Sequence, residues 1–454
     1  MKNIQRRKFI RDVSLVSTGA LVGIHHMGRA MGNSPNDSVN IAIIGIRNRG
    51  KDHYRALSKI PNVNIAAICD IDQRLLPEAA AEVEKLTGRK PLIETEIRKI
   101  LENKSIDAVS LATPNHWHAL QTIWACQAGK DVYVEKPVSH TVKEGRLMVA
   151  AARKYNRIVQ TGTQARSQVA TMDAIRFLKR GDLGKIYMCR GLCLKPRASI
   201  GHVKDSPIPV GVDWNTFLGP APYRPFNENR FHYKWHWFWD TGCGDLGNQG
   251  IHQADVARWA LGKQTHPVRI QGFGKYVVYD SDQETPNIQH IEYEYDDGSV
   301  IQFEVRGLPT NSEAGVKIGN LFYGSKGWMS MTSEDEGVCK AYYTDINLEA
   351  SGFSSYKEKE GPVFNNDDPE TSDAVVNHFT NFINCIKSRE WKNLHADILE
   401  GHLSSTLCHL GNIATRLNRV LYFNPEDETI EGDEEANAYL TKVYRPPFLL
   451  PDIV

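Results

Sequence analysis

The sequence lacks an excess of either charge: of its 454 residues, 54 are Lys or Arg and 54 are Asp or Glu. A surface without a net field draws neither nucleic acid nor anionic lipid from a distance, so neither is expected as a partner. Past the first 30 residues no apolar run reaches membrane-spanning length, which argues against stable insertion in a bilayer. Cysteines are few and scattered, at 69, 126, 189, 193, 243, 339, 385 and 408, without the CxxC pairs of a zinc ribbon or the density of a small disulfide scaffold. They read as ordinary half-buried thiols. Internal repeats and low-complexity tracts are also missing, which removes solenoids and disordered tails from consideration.

What is present begins at the N-terminus. Arg6, Arg7, Lys8, Phe9, Ile10 and Arg11 resemble a twin-arginine export signal, and the uncharged stretch Val13–Ile24 is long enough for its apolar region and too short to span a bilayer. Gly28, Arg29 and Ala30 supply a small-x-small cleavage pattern. The expected organisation is a signal peptide over 1–30, a polar linker over 31–38 ("MGNSPNDS"), and two domains over 39–161 and 162–454. Such a signal implies a periplasmic protein that folds before export, which suits a chain that needs no disulfides.

From residue 39 apolar strands alternate with helical patterns: "VNIAIIG", "NVNIAAICD", "IDAVSLA", "DVYVE" and "RIVQTG". Continuous apolar strands separated by helices predict a parallel, doubly wound α/β sheet of Rossmann type, covered on both faces. After Met188 the pattern changes to strict alternation, as in "IQHIEYEYDDGSVIQFEV", where "DDGS" reads as a hairpin turn. That predicts an α+β C-terminal domain with a large, mainly antiparallel open sheet, closed by helices near 371–388 and 396–417.

The first strand runs into "GIRNRG", residues 45–50. In a dinucleotide fingerprint, glycines make the tight turn, admit the pyrophosphate and let the helix pack on the strand. Gly45 and Gly50 hold the outer positions, Arg47 replaces the middle glycine, and Asn48 and Arg49 complete the loop. Asp70 ends the second strand about 20 residues on, where a carboxylate accepts ribose hydroxyls and repels a 2′-phosphate, so NAD is favoured over NADP. After the third strand, "TPNHWHA" brings Thr113, Asn115, His116 and His118 to the carboxyl edge of the sheet, where such folds bind ligands. Two histidines at i and i+2 without a third ligand do not make a metal site, and none is expected.

"DVYVEKP" sets Glu135, Lys136 and Pro137 at the end of the fourth strand. A partly desolvated lysine there has a lowered pKa and can carry a proton near neutrality. With this Glu-Lys-Pro following a Rossmann pattern, and an open-sheet domain after it, the chain resembles the Gfo/Idh/MocA oxidoreductases over nearly all of its length beyond the signal. The resemblance implies hydride transfer between NAD and a secondary alcohol of a carbohydrate or polyol, with Lys136 as the proton carrier, and homo-oligomers formed through the sheet.

In "GCGDLGNQGIHQADVARWALG", residues 242–262, the spacing puts Asn248, His252 and Asp255 on one helical face. The family's sugar dehydrogenases carry Asp, His and often Asp at these positions. The resemblance therefore implies catalysis by His252 and substrate binding by Asp255, while Asn248 departs from the pattern, since an amide orients a hydroxyl but cannot take its proton. Trp237 and Trp239, within the aromatic run "RFHYKWHWFWD", are expected to stack on sugar C–H faces. Gln164 and Arg166, in "GTQAR", are expected to face the cleft, toward cofactor and substrate respectively. Two alternatives remain: an NAD-dependent glycosidase that oxidises its sugar transiently, an exception to two-carboxylate hydrolysis, and a cofactor-binding sensor without turnover.

Overall fold

Short aliphatic strands build the first sheet. In β1 (Val39–Ile44) Ile41 and Ile43 point to one face and Ala42 and Ile44 to the other, and all four are buried. A strand buried on both sides needs helices above and below it. The computed structural model describes residues 38–333, 337–347, 355–366, 368 and 372–454, so the expected signal peptide and all but Ser38 of the linker lie outside the described residues.

From β1 the chain continues through α1 (Arg49–Leu57), β2 (Val63–Cys69), α2 (Leu76–Thr87), β3 (Leu92–Glu94), α3 (Ile97–Glu102), β4 (Ala108–Leu111), α4 (Asn115–Gln127), β5 (Asp131–Val134), α5 (Val142–Lys154) and β6 (Val159–Thr161). These six strands are parallel in the order β3-β2-β1-β4-β5-β6, so the order reverses at β1 and β4 and leaves a crevice at their carboxyl ends. Helix α5 starts on a reciprocal cap: the Thr141 hydroxyl accepts from Glu144 N–H, and the Glu144 carboxylate accepts from His140 N–H. The α1 start differs: Asn48 makes no side-chain cap, and the Gly50 and Lys51 amides turn back onto the Arg47 and Asn48 carbonyls, at 2.9 and 3.0 Å.

The remainder comprises α6 (Val169–Lys179), β7 (Ile186–Cys193), α7 (Trp214–Leu218), α8 (Gly244–Asn248), α9 (Gly250–Ala260), β8 (Arg269–Lys275), β9 (Ile288–Glu294), β10 (Val300–Arg306), β11 (Ile318–Gly324), β12 (Gly327–Thr332), β13 (Cys339–Asn347), β14 (Ser355–Phe364), α10 (Ala374–Ser388), α11 (Ile398–Leu417), β15 (Leu421–Asn424), β16 (Thr429–Ile430) and α12 (Glu434–Ala438). Its ten-stranded sheet runs β14-β13-β12-β11-β7-β10-β9-β8-β15-β16 and is antiparallel except where β7 pairs parallel with β10. The expected fold class is thus observed, including the hairpin at "DDGS", which joins β9 and β10.

One face of the first sheet is closed from far along the chain. Phe379, Phe382 and Ile383 of α10 pack with Ile41, Ile43 and Tyr133, and Tyr133 stacks on Phe379 with ring centroids 4.1 Å apart. Residues 39–161 therefore do not complete their own core. All eight cysteines are free and fully buried rather than half-buried, and burial pushes the Cys385 thiol up to about 11. Among the described residues no helix is long and apolar enough to cross a membrane.

Candidate active site

A cavity of about 810 Å³ occupies the crevice, lined by the ends of β1, β2, β4 and β5 and, from the second region, by Lys195, Thr216 and Phe217, residues between Phe231 and His236, and Asn248 and Gln249. Its floor is backbone. Gly45 has φ +80°, and a Cβ there would lie 2.8 Å from the Ala112 carbonyl oxygen; a Cβ on Gly50 would lie 1.9 Å from the Gly45 carbonyl oxygen. Both positions therefore exclude a side chain, and the strand-to-helix turn stays open to a bulky anion at the α1 N-terminus. Arg47, Asn48 and Arg49 line the mouth of that turn.

Asp70 ends β2 with each oxygen anchored once, Oδ2 by Ile46 N–H at 3.0 Å and Oδ1 by Asp72 N–H at 2.9 Å, and the remaining lone pairs face the cavity it lines. Burial raises its pKa against those bonds. Asn115 begins α4 at the cavity wall, and its buried Oδ1 lacks a partner among the described residues. A carbonyl oxygen without a donor, a side-chain-free turn and a ribose-height carboxylate together fit a dinucleotide.

Glu135, next to Lys136, is the best-connected carboxylate of the site. Its Oε1 accepts from Arg49 Nε at 2.9 Å, Gln164 Nε2 at 3.0 Å and His53 Nε2 at 3.1 Å. Because a carboxylate only accepts, His53 donates from Nε2 and accepts at Nδ1 a hydrogen bond from the Ser110 hydroxyl, at 2.9 Å. Burial raises the Glu135 pKa, but Arg49 first and then His53 outweigh it and hold the carboxyl well below the usual range. Gln164 thus reaches Glu135 and the Tyr133 hydroxyl from behind and does not line the cavity.

Lys136 lines the cavity, and its ammonium donates to the backbone carbonyl of Asn248. Burial brings its pKa down to about 8, partly countered by Glu135. Asn248 donates its amide to the Tyr233 hydroxyl at 3.0 Å, so it orients a neighbour rather than standing free. His252 does not line the cavity wall, yet it lies within electrostatic reach of Lys136; burial first and that charge second hold its pKa near 3. His118 lines the wall between the Thr113 and Pro137 carbonyls, both 2.7 Å away, whereas His116 is turned inward onto the Phe217 carbonyl at 2.9 Å. Thr113 lines the wall too, its hydroxyl donating to Gln121 Oε1 at 2.7 Å.

Other expectations for the substrate side are corrected by the fold. Asn248, His252 and Asp255 do not share one helix, because α8 ends at Asn248 and α9 begins at Gly250, which turns Asp255 into the interior. There Asp255 binds Arg166 at 2.8 and 2.9 Å and accepts from the Ser404 hydroxyl at 2.7 Å, while Arg166 also reaches Glu400 at 3.0 Å. Arg166 and Asp255 are 4% and 1% exposed and belong to a buried ionic lock, apart from the cavity wall. Trp237 is buried under the Arg197 guanidinium, 5.5 Å from its ring, and Trp239 packs 4.4 Å beneath Arg416; Tyr233, Trp235 and His236 line the cavity instead.

Sequence reasoning missed Lys195, Arg197, Asp245 and Gln249. Arg197 clamps the buried Asp245 at 2.6 and 2.8 Å, and Lys195, on the wall, donates to the Gln249 amide oxygen at 3.2 Å. The aspartate in "GCGD" was visible, but its partner lies 48 residues away, beyond any local pattern. Far from this cavity the fold also gathers His266, His402 and Glu428, a group that spacing did not disclose. Both imidazole Nε2 atoms meet Glu428 Oε1, at 2.8 and 2.7 Å, and Arg146 binds the same carboxylate, so its charge is already answered without a metal.

Comparison with known proteins agrees with this architecture. Residues 39–163 match the Gfo/Idh/MocA description "Oxidoreductase family, NAD-binding Rossmann fold", and residues 198–326 and 359–450 match its C-terminal alpha/beta domain. A levoglucosan dehydrogenase of Pseudarthrobacter phenanthrenivorans is 27% identical over 229 residues, 50% of this chain and 52% of its own. A glycosyl hydrolase family 109 protein of Shewanella baltica is 26% identical over 199 residues, 39% of this chain and 43% of its own. The chain thus aligns with about half the length of these curated relatives. The crystal structure of an oxidoreductase domain protein from Kribbella flavida superposes with a TM-score of 0.62 at 18% identity, covering 84% of this chain and 98% of that one, a likeness of fold.

Proposed function

The chain belongs to the Gfo/Idh/MocA oxidoreductase family, and from that premise we propose that it is an NAD-dependent dehydrogenase acting on a secondary alcohol of a carbohydrate or polyol. The observation that carries this reading is Lys136, an ammonium group at the end of β5, on the cavity wall, with its pKa lowered to about 8. Bound NAD supplies the hydride acceptor. Neutral Lys136 takes the hydroxyl proton of the alcohol, and the Asn248 carbonyl fixes where its nitrogen sits. His252, neutral because burial holds its pKa near 3, lies behind the wall within electrostatic reach of Lys136 and adds no second positive charge there. Tyr233, Trp235 and His236 offer flat faces to the sugar, with Trp235 and His236 stacked at 3.6 Å. Asp70 supports NAD over NADP, since its carboxylate suits ribose hydroxyls and repels a 2′-phosphate. NAD-loaded protein should gain absorbance at 340 nm with its sugar; absence of that gain across aldoses, glycosides and cyclic polyols overturns the reading.

The proposal extends to location. The Arg6-Arg7 signal supports export of the folded protein to the periplasm, with NAD loaded beforehand in the cytoplasm. A trapped cofactor must return to its starting state in each cycle, which calls for a second substrate or a reversal. Homo-oligomers through the ten-stranded sheet are part of the same reading. Mass spectrometry of natively purified protein should report loss of residues 1–30 together with retained nucleotide; full-length protein without nucleotide overturns both points.

The Shewanella baltica relative favours a second reading, an NAD-dependent glycosidase using transient oxidation and elimination. Release of nitrophenol from nitrophenyl glycosides without ketone accumulation decides for it.

A further inference from the structure

The cavity carries more positive charge at its substrate end than its own carboxylates answer. On the wall Arg49 is matched by Glu135, and behind it Arg197 is matched by Asp245, both at hydrogen-bond distance. Lys136 and Lys195 are matched by neither: among the described residues no carboxylate comes within ion-pair distance of either ammonium, and each donates only to a neutral oxygen. Those oxygens belong to consecutive residues, the Asn248 carbonyl and the Gln249 side chain, and both lysines line the same cavity. Lys136 is accounted for as the proton carrier, which leaves Lys195. It stands just beyond β7, on the Asn248–Gln249 side of the cavity, whereas Arg47 stands on the Gly45–Gly50 side. In the position where Asn248 stands, an aspartate would have offset this charge.

We propose that the sugar taken by this cavity bears a carboxylate, as in a uronic acid or its glycoside, and that Lys195 pairs with that carboxylate. The inference rests on the dehydrogenase reading and narrows its substrate class. A single ammonium beside one amide matches a single negative charge as a point contact, without the guanidinium fork that gives bidentate recognition of a phosphate. Gln249, whose oxygen already receives Lys195, keeps its amide N–H groups for the carboxylate's second oxygen. Partial burial of Lys195 lowers the local dielectric and gives the pair more weight than a surface contact. With its carboxylate held there, the ring presents a secondary hydroxyl toward Lys136.

The test compares methyl β-D-glucuronide with methyl β-D-glucoside, binding each to the NAD-loaded protein by calorimetry. The glucuronide should bind about tenfold tighter or more, as one charge-assisted pair provides, and the advantage should shrink with added salt. In Lys195→Gln the ratio of the two affinities should fall close to one, and in Lys195→Arg most of the preference should remain, which keeps the test decisive if either variant folds poorly. Equal affinity in the wild type, or a preference that survives Lys195→Gln, overturns the inference. Tight glucuronide binding without a rise at 340 nm would uphold it and sink the dehydrogenase reading instead; oxidation of the glucoside with no glucuronide preference would do the reverse.

Discussion

The ammonium group of Lys136 donates to the backbone carbonyl of Asn248, so the residue that ends β5 is tied to the last turn of α8, 112 residues further on. A backbone carbonyl cannot be titrated or replaced by substitution at Asn248. The lysine is therefore positioned by the fold itself, and what the Asn248 side chain contributes is its separate bond to Tyr233.

Lys136→Met should lower hydride transfer by about 10² to 10⁴-fold, the range for loss of a general base, while bound NAD is retained. The pH profile carries the sign. A base must be neutral to accept a proton, so wild-type kcat/KM for oxidation should rise with pH through about 8 and level off above it. Steady-state rates from pH 6 to 10 check this; a profile unchanged by Lys136→Met would remove the lysine from the chemistry.

Asp70→Ser should loosen the choice of cofactor. Without the carboxylate, NAD loses a ribose acceptor and NADP loses a repulsive neighbour, with Arg47 left nearby to meet the 2′-phosphate. The NAD-over-NADP affinity ratio should drop by about tenfold or more, equivalent to roughly 1.4 kcal/mol. Fluorescence titration of the nucleotide-free protein with each dinucleotide reads it directly, and an unmoved ratio would show that Asp70 only braces the loop through Ile46 and Asp72.

Legibility in the sequence followed distance along the chain. Gly45, Asp70, Thr113 and Lys136 each end an apolar strand, and a doubly wound sheet carries every strand end to one edge, so local patterning was enough to collect them. The C-terminal side obeyed other rules. The resemblance implies a substrate role for Asp255, and the spacing that puts it on one face with Asn248 assumes an unbroken helix; the switch between α8 and α9 at Gln249 sends it to Arg166, 89 residues upstream. Lys195 gave no local signal: a lysine after a strand is a surface residue until the fold shows which carboxylates are already taken. The closure of the first sheet by α10, and the parallel pairing of β7 with β10, likewise depend on contacts more than 100 residues apart.

Asp255→Asn tests the buried lock. It leaves two guanidiniums, Arg166 and Arg258, facing one carboxylate, Glu400. Removing one partner from a buried ionic group costs about 3 kcal/mol or more, because the remaining charge stays desolvated. Denaturant unfolding should show that loss, while the substrate KM of the folded fraction stays near wild type, since neither Arg166 nor Asp255 lines the cavity. A raised KM with stability intact would return both residues to the substrate side.

Acid should unfold this protein earlier than its carboxylates alone require. Burial, as the largest cause, holds His116 and His409 near pKa 3 and His378 and His402 near 4, and all four side chains are buried. Unfolded histidines titrate near 6.5, so between about pH 6.5 and 4 the unfolded chain binds protons that the folded chain refuses. For bases with lowered folded-state pKa values, stability is complete above 6.5 and is lost as the pH falls. Each such group removes up to about 1.4 kcal/mol per pH unit in that window, so four together remove on the order of 5 kcal/mol over one unit, comparable with the whole stability of a typical domain. Urea unfolding at pH 7.5, 6.5, 5.5 and 5.0 should show a midpoint that holds over the first step and then falls steeply. His402→Gln should flatten part of that slope, since it withdraws one of the imidazoles that gain a proton on unfolding; a midpoint constant down to pH 5 would mean that these imidazoles keep their ordinary affinity inside the fold.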